Sequence, residues 1–353
     1  MKISKRLQIM NDNKNIKPQT RNITMNDIAI EAGVSVATVS RYINKLNVSE
    51  KRAKKVEEAI NKFNFKPNLA AKGLKTSKSK EIMLVVPDIT NPYYSNMYNV
   101  IQELAREKNY VAILYNTNES IENEKKAIDL IYQLNCDGVI FCSTTDNKDI
   151  INSLIELDKP VVSSSSFESG IFDTVHGKIS GYGLYIGTNY LIEKGHKLIG
   201  YAGGPEDSIY NKRRYSGFLR SLDEHNIKFD TRYYHSSPFS IEGGKETAKY
   251  YMSLEKLPTA IACANDMIAI GIIDYFMEHN IKVPDDVSIV GMDNINLSEL
   301  IKPALTTVTN DSREFGEKAI KLLFDRLING YNGPSREEIC SRELIERDTV
   351  KEI

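Results

Sequence analysis

The side chains of this sequence that are best suited to binding chemistry are amides, carboxylates and tyrosines placed directly after short apolar runs. Asn91, Tyr93 and Tyr94 follow the first run, and Asn265 and Asp293 follow later ones. In a parallel sheet, polar groups at the carboxyl ends of the strands meet at one edge and form a ligand site. Taken singly, each is more often a turn or helix-cap residue, so both interpretations stay open.

The spacing of a catalytic or metal site is missing from the sequence. The five histidines and four cysteines show no ligand spacing, and the serine run 163–166 lacks the glycine frame of a nucleophile elbow. No glycine-rich phosphate loop follows the first apolar run, and no carboxylate pair has a metal partner. The sequence therefore predicts a binding protein without cofactor or metal rather than an enzyme. The cysteines, expected as buried thiols of a reducing compartment, are Cys136, Cys142, Cys263 and Cys340.

Charge is divided unevenly along the 353 residues. Residues 1–80 carry 18 Lys and Arg against 6 Asp and Glu, a formal charge of +12, whereas residues 81–353 carry −13. The first segment suits a polyanionic partner and the second does not. The basic N-terminus has no apolar signal core and no later run approaches a membrane span, so a cytoplasmic protein without membrane contact is expected.

The elements that must position the polar residues alternate between strand and helix beyond residue 80. Short apolar runs separated by amphipathic helical stretches predict parallel strands with crossover helices, a doubly wound α/β body. Its length of roughly 270 residues fits two such subdomains better than one. The predicted strands cover 82–86, 111–115, 138–142, 160–163, 198–202, 260–264 and 287–291.

Residues 23–67 are predicted to form three short helices. Thr24 and Asp27 can form a capping box for the first helix, and Ser35 is suited to cap the second. Val39 faces inward in the second helix, which leaves a short, polar and cationic outer face. The pattern alone permits a generic three-helix bundle as well as a helix-turn-helix. The basic excess favours the second because it fits phosphate neutralisation.

Two segments resemble the DNA-binding headpiece of the lac repressor (LacI/GalR) family almost position for position, DIAIEAGVSVATVSRYIN and VSEKRAKKVEEAINKFNFKPNLAAKGLK. The resemblance implies that Val36 and Ala37 face base edges and that Arg41 reaches a guanine, whose O6 and N7 suit the guanidinium fork. The turn before Val48 is a residue shorter than the commonest form, which changes a loop and leaves the reading helix intact. The other DNA-contact positions implied here are Thr24, Ser35, Thr38 and Asn44.

Residues 68–80 are predicted to be a hinge helix followed by a linker. The helical part is too short to be stable alone, and Gly73 lowers its helicity further. In similar proteins it folds only when two copies pack together on operator DNA, with a leucine at the place of Leu74 wedged into the minor groove. The resemblance thus adds Asn68, Ala71 and Leu74 to the DNA-contact positions, with a plain linker as the alternative.

Segments beyond residue 80 resemble the sensor domain of the same family, among them IMLVVPDITNPYY, TAIACANDMIAIG, VSIVGMDN and LIKPALTTVTND. Such domains fold like periplasmic sugar-binding proteins and hold a small effector between two subdomains. The resemblance places tyrosines beside the effector and has amides and carboxylates hydrogen-bond its hydroxyls, an arrangement that suits sugars. The implied effector positions are Asn91, Tyr93, Tyr94, Asn118, Lys212, Asn265, Asp293 and Asn310.

Lys212 marks a departure from the sugar-responsive members, which usually carry an arginine there. Lysine is a point charge without the planar fork of arginine, so either Arg213 substitutes for it or the effector is anionic, such as a sugar phosphate or sugar acid. The run from Val162 to Ser166 likewise has serines where an aspartate is frequent. The identity of the effector stays open.

The sequence leads to a homodimeric repressor of carbohydrate-use genes that reads a palindromic operator in double-stranded DNA and is released by a sugar or sugar derivative. One alternative is a catabolite-control type of regulator that answers a protein partner. Another is a transport-type sugar-binding protein, which needs an export signal and has no use for residues 23–75. A dimer is expected rather than a tetramer, because no heptad tail follows the last segment.

The expected domains are a disordered basic arm at 1–22, the headpiece at 23–67, the hinge and linker at 68–80, and an effector-binding and dimerisation domain at 81–353. Within the last, an N-subdomain is expected at about 81–178 and 293–319 and a C-subdomain at about 179–292 and 320–353.

Overall fold

A computed structural model describes residues 23–66, 78–145, 147–164, 170–177 and 181–353. These residues form two compact units, one from the headpiece segment 23–66 and the other from residue 78 onward. The arm expected at 1–22 and most of the expected hinge and linker lie outside the described residues.

The headpiece consists of three helices, as the sequence predicts: α1 (Met25–Ala32), α2 (Val36–Ile43) and α3 (Glu50–Phe63). Gly33 ends α1 in the left-handed region, at φ 62°, where a residue without a Cβ is favoured. The small core is built from one apolar stripe of each helix, and Ile28, Val39 and Val56 are completely buried in it. Burial of these stripes supplies most of the stability of such short helices.

The larger unit contains two six-stranded sheets, each covered by helices. The first sheet has the order β11-β5-β4-β3-β1-β2 with every pair parallel. Its elements are β1 (Glu81–Val86), α4 (Pro92–Glu107), β2 (Val111–Asn116), α5 (Ile121–Gln133), β3 (Gly138–Phe141), α6 (Lys148–Glu156), β4 (Val161–Ser163) and β5 (Asp173–Gly177).

The second sheet has the order β12-β10-β9-β8-β6-β7 and is parallel except for the edge strand β12, which is antiparallel to β10. Its elements are α7 (Tyr182–Glu193), β6 (Ile199–Gly203), α8 (Ile209–Glu224), β7 (Tyr234–Ser236), α9 (Ile241–Met252), β8 (Ala260–Cys263), α10 (Asp266–Glu278), β9 (Ser288–Asp293), α11 (Asn296–Leu300) and β10 (Thr306–Thr309). The tail then supplies α12 (Ser312–Leu327), β11 (Glu337–Cys340) and β12 (Leu344–Ile345).

The chain passes between the two sheets three times, between Gly177 and Gly181, at 310–311 and at 341–343. The doubly wound α/β class is confirmed, and every predicted strand is present. The expected subdomain boundaries in the tail differ from the observed pairing. The segment 306–309 pairs with β9 in the second sheet, whereas α12 and β11 belong to the first. Apolar runs mark a strand in the sequence, but its partner is chosen only by tertiary packing.

Candidate functional site

The second helix of the headpiece has one buried and one exposed face. Val39 has no exposed surface and anchors the helix in the core. Val36 is 42% exposed, and Ala37 and Arg41 are exposed as well. An exposed apolar pair with an arginine one turn later is unusual as a solvated surface, and it is suited to the floor of a DNA major groove.

Polar residues at the ends of these helices satisfy backbone groups that would otherwise lack partners. The Thr24 hydroxyl accepts the Asp27 N–H at 3.3 Å, and the Asp27 carboxylate accepts the Thr24 N–H at 2.9 Å, which completes the predicted capping box. Ser35 Oγ accepts the Thr38 N–H at 3.2 Å. Asn44 donates its side-chain amide to the Ser40 carbonyl at 2.8 Å. Thr24 and Asp27 therefore fix the start of α1, and Ser35 and Asn44 fix the two ends of α2.

Lysines and arginines of α3 are exposed, as the pattern predicts, and Lys62 pairs with Glu31 at 2.6 Å. The exposed basic residues of this helix are Lys51, Arg52, Lys54, Lys55 and Lys62. The hinge positions Asn68, Ala71 and Leu74 lie outside the described residues.

A cleft opens between the two sheets of the larger unit. Residues from both halves and from all three chain crossings line it, and polar groups outnumber the aliphatic ones. Six of the eight predicted effector residues are brought together here: Asn91, Tyr93, Tyr94, Asn265, Asp293 and Asn310.

Asp293 is the central polar group of the cleft. Its Oδ1 accepts hydrogen bonds from Arg214 Nη2 at 3.3 Å and from Asn310 Nδ2 at 3.1 Å. The backbone of Asp293 has a φ of 115°, an uncommon conformation for a residue with a side chain. Burial raises the pKa of its carboxyl group, and the Arg214 charge opposes that rise. The second oxygen, Oδ2, makes none of these bonds and can accept a ligand hydroxyl.

Arg214 holds the cleft together from the second half. Its Nη1 donates to the Ala264 carbonyl at 2.8 Å, and its guanidinium carbon lies 5.5 Å from the ring centre of Phe239. A guanidinium fixed by a carbonyl, a carboxylate and an aromatic face has one orientation, so its remaining N–H groups are presented to a ligand in a defined direction.

Asn91 and Asn265 each cap a helix and also line the cleft. The interpretation as a helix cap and the interpretation as a residue of the candidate ligand site are therefore compatible. Asn91 Oδ1 accepts the Tyr93 N–H at 2.9 Å at the start of α4, and Asn265 Oδ1 accepts the Ile268 N–H at 2.9 Å at the start of α10. Capping occupies the oxygens and fixes the side chains. The amide nitrogen of Asn265 also donates to the Phe239 carbonyl at 3.4 Å. Each amide nitrogen carries two hydrogens, so both side chains keep a donor for a ligand.

Tyr93 and Tyr94 pack edge to face, with ring centres 5.1 Å apart. Burial raises the pKa of both phenols well above the usual value, so both are neutral at physiological pH. A neutral phenol can donate as well as accept, which matches a hydroxyl-bearing ligand.

Two predicted effector residues do not lie in the cleft. Asn118 is exposed and accepts from the Asn116 amide at 2.7 Å, while its neighbour Glu119 lines the cleft. Lys212 is exposed on α8, because it is two residues from Arg214 and thus about half a helical turn away. The placement of Lys212 in the effector site is therefore wrong, and Arg213 and Arg214 are the basic residues of this helix that line the cleft.

Sequence reasoning missed Tyr210, Arg214, Phe239 and Ser164. Tyr210 and Arg214 are four residues apart on α8 and share one face, a spacing that the sequence displays and that would have excluded Lys212. Ser164 Oγ lies 2.8 Å from the Tyr210 hydroxyl, a bond that joins the two halves across the cleft. Nothing in the local sequence marks that contact.

Within the described part of the chain, no cluster of histidines, cysteines and carboxylates could hold a metal ion. No helix in the same residues has the length and hydrophobicity needed to span a membrane.

Comparison with known proteins identifies both units. A family described as "Bacterial regulatory proteins, lacI family" matches residues 24–68, and a "Periplasmic binding protein-like domain" matches residues 188–350. The "HTH-type transcriptional repressor PurR" of Mannheimia succiniciproducens is 31% identical over 94% of this chain and 99% of its own length. The "HTH-type transcriptional regulator RegA" of Clostridium saccharobutylicum is 32% identical over 93% of this chain and 99% of its own.

Solved structures give the same result. The lac repressor dimer bound to operator and the anti-inducer ONPF superposes with a TM-score of 0.84 and 25% identity, over 94% of this chain and 100% of that one. A LacI family regulator from Enterococcus faecium with bound ribose has a TM-score of 0.67 and 28% identity, over 77% of this chain and 99% of that one. Since relatives above 30% identity cover almost the whole sequence, this chain belongs to the lacI family of bacterial regulatory proteins and is a DNA-binding transcriptional regulator, not an enzyme.

Proposed function

We propose that this regulator is a homodimeric repressor of carbohydrate-use genes that leaves its operator when a sugar or sugar derivative binds the cleft. Two headpieces would read the two halves of a palindromic operator, with Val36, Ala37 and Arg41 at base edges. Thr24, Ser35, Thr38 and Asn44 would lie near the DNA backbone. The hinge positions Asn68, Ala71 and Leu74 would contact the minor groove between the two half-sites.

The observation that carries the proposal is the division of α2 into a buried face and an exposed reading face. Val39 fixes the helix in the core, so the backbone positions of the exposed Val36, Ala37 and Arg41 are fixed on one outer face. Preorganised side chains lose little conformational entropy on binding, which favours specific contacts over a general attraction to phosphates.

The cleft supports a polyhydroxyl effector. Oδ2 of Asp293 and the amides of Asn91 and Asn265 match vicinal hydroxyls, and the rings of Tyr93 and Tyr94 match sugar C–H groups. A related structure from Enterococcus faecium contains ribose. An effector can act only by binding one conformation of the protein more tightly than the other, and a cleft lined from both halves offers that difference.

Arg41 provides the direct test of DNA reading. The operator is first selected from random duplexes with the full-length protein, and its affinity for wild type and Arg41→Ala is measured by fluorescence anisotropy. Loss of a bidentate guanine contact should cost about 1 to 3 kcal/mol on the selected site and relax the preference at one base pair.

Arg313→Ala in the body is the matched control, since it removes the same charge from an exposed arginine that pairs only with Glu317. Operator affinity should be unchanged in this variant. Equal operator affinity of Arg41→Ala and wild type would contradict the assignment of α2 as the reading helix.

The effector is tested by adding neutral and anionic sugars to the operator complex and measuring release and binding heat. Release by one sugar class supports the proposal. Uniformly silent heats, with operator binding stimulated by a phosphocarrier protein, would favour the partner-responsive alternative instead.

A further inference from the structure

Arg342 brings a positive charge into the cleft from the last chain crossing. Its Nη1 donates to the Ser341 carbonyl at 2.8 Å, and within the described residues this is the single hydrogen bond of its guanidinium. The two other arginines of that tail segment each bond to two residues through the guanidinium, Arg336 to Asp173 and Asp325, and Arg347 to the Leu305 carbonyl and Asn294. Arg342 therefore has donors left for a ligand.

Gly177 gives Arg342 its position. A Cβ at Gly177 would lie 3.1 Å from Nη2 of Arg342. Because glycine has no Cβ, the guanidinium can pack against the backbone at the end of β5. The neighbouring His176 also lines the cleft, and its Nδ1 lies 2.8 Å from the Gly177 carbonyl. Because a carbonyl only accepts, this nitrogen carries the hydrogen. The Nδ1–H of His176 is therefore already bonded, and its Nε2 lies 3.5 Å from Glu337 Oε2, so Arg342 supplies the donors of this wall.

The start of α7 adds to the same cleft. Gly181, Tyr182 and Gly183 line it, and the N-cap residue of this twelve-residue helix is Gly181, which has no side chain to cap it. The first N–H groups of a helix have no partner within it, and the helix dipole makes this end positive. Arg342 and the start of this helix are therefore both positive, and both attract a negatively charged ligand.

Asp293 is the carboxylate of the cleft that acts on Arg342. It is hydrogen-bonded to Arg214, whereas Arg342 forms no ion pair with it among the described residues and lowers the pKa of its carboxyl group only through charge. Asp88 and Glu119 also line the cleft, and burial together with the charges of Asp88 and Asp207 raises the pKa of Glu119. The charged groups of the lining are thus the Arg214–Asp293 pair, the acidic residues Asp88 and Glu119, and the arginines Arg213 and Arg342. Among the described residues, Arg342 forms no ion pair and makes one hydrogen bond through its guanidinium.

From this geometry we propose that Arg342 is a specificity residue that binds an anionic group, phosphate or carboxylate, on the effector. The inference rests on the proposed sugar-type effector and narrows it to sugar phosphates or sugar acids. It is independent of Lys212, which lies outside the cleft. A guanidinium binds either anion through two parallel N–H bonds, so the two sources share one chemistry.

The first experiment uses inorganic phosphate and acetate as probes, titrated separately into the full-length protein by isothermal calorimetry. Phosphate or acetate should bind wild type saturably, and Arg342→Gln should weaken that binding about tenfold or more, the scale of one charge-assisted bond. The anion affinity of Arg342→Lys should lie between those of wild type and Arg342→Gln, because lysine keeps the charge but lacks the planar guanidinium. Arg232→Gln should bind as wild type does, because Arg232 is an exposed arginine that pairs with Asp230 and does not line the cleft.

The second experiment compares glucose and ribose, each beside its phosphate monoester and its aldonic acid, in the operator-release assay. An anionic member should act at about tenfold lower concentration than its neutral partner, and Arg342→Gln should remove that preference. Preference for the phosphate or for the acid identifies the source of the anion.

Absence of saturable probe binding to wild type, or equal binding by wild type and Arg342→Gln, would overturn the role of Arg342. A neutral sugar that acts as well as its anionic partners would also overturn it and would leave the sugar-type effector intact. Failure of every sugar, neutral or anionic, to release the operator would instead contradict the proposed function itself.

Discussion

Asp266 illustrates at the residue scale how a side chain outside the cleft can hold its wall in place. The carboxylate is completely buried and accepts from the Ile295 N–H at 3.0 Å and from the hydroxyls of Ser298 and Thr307, each at 2.6 Å. These bonds fix the chain just after Asp293, whose uncommon backbone conformation needs such support. Asn265 is the cap of α10, which leaves the Asp266 carboxylate for these buried bonds.

Burial, together with the charge of Asp293, raises the pKa of Asp266 to about 6, against an ordinary value of about 3.9 in the unfolded chain. Between these values the folded protein keeps a proton that the unfolded protein has lost. The free energy of unfolding should therefore fall by about 2 to 3 kcal/mol as the pH rises through this window. Asp266→Asn cannot titrate and should lack this fall.

Urea unfolding of wild type and Asp266→Asn from about pH 4 to about pH 7, followed by circular dichroism, measures the effect. As the pH rises, the free energy of unfolding of wild type should fall relative to that of Asp266→Asn. A difference that stays constant over the whole range would show that Asp266 does not titrate as expected.

At the element scale, two glycines allow helices α9 and α10 to pack in close backbone contact. The α carbon of Gly244 lies 2.9 Å from where a Cβ on Gly271 would be placed, and that Cβ would also collide with the Ile241 carbonyl. The α10 helix begins at Asn265 and Asp266, so this packing fixes the cleft amide and the buried carboxylate together. Close backbone approach is the reason for glycine at both positions.

Gly271→Ala should force α9 and α10 apart and lower the free energy of unfolding by about 1 to 3 kcal/mol, the usual cost of overpacking. The measurement is urea unfolding at neutral pH. Met277→Ala on the same helix is the control, since Met277 is 52% exposed and its truncation should cost less than about 0.5 kcal/mol. Equal stability of Gly271→Ala and wild type would mean that the helix contact is not closely packed.

At the scale of the whole molecule, opposite charges are assigned to opposite tasks. Residues 1–80 carry a formal charge of +12 and the remainder −13, and the two nearly cancel in the net charge of −1. The basic end therefore attracts DNA, and the acidic body repels it. The body thus discourages phosphate contacts except through the headpiece and its flanking segments.

This division predicts a steep dependence of DNA affinity on salt. Neutralising six or more phosphates should weaken binding about 10³-fold between 50 and 200 mM salt, with similar slopes for operator and random duplex. Anisotropy titrations at several salt concentrations measure both slopes. A salt-independent affinity for random duplex would contradict the electrostatic role of the basic segment.

Helices, strands and caps depend on residues close together in the chain, so they can be predicted from the amino-acid sequence. The spacing of apolar residues and the capping residues located the headpiece helices, and helical spacing alone gave the inward position of Val39. Apolar runs located the predicted strands, and six effector residues were found because polar groups at strand ends must meet at one sheet edge. Even so, the spacing of Tyr210 and Arg214, which would have excluded Lys212, was overlooked.

Contacts between distant segments, by contrast, depend on how the folded chain packs. The pairing of β10 with β9 moved the segment 306–309 to the second sheet, and the last crossing brought Arg342 to Gly177. Ser164 meets Tyr210 for the same reason, since the partner of each lies in another part of the chain. Local propensity acts over a few residues, whereas these contacts are fixed by the packing of two separate sheets, and no short-range pattern encodes that packing.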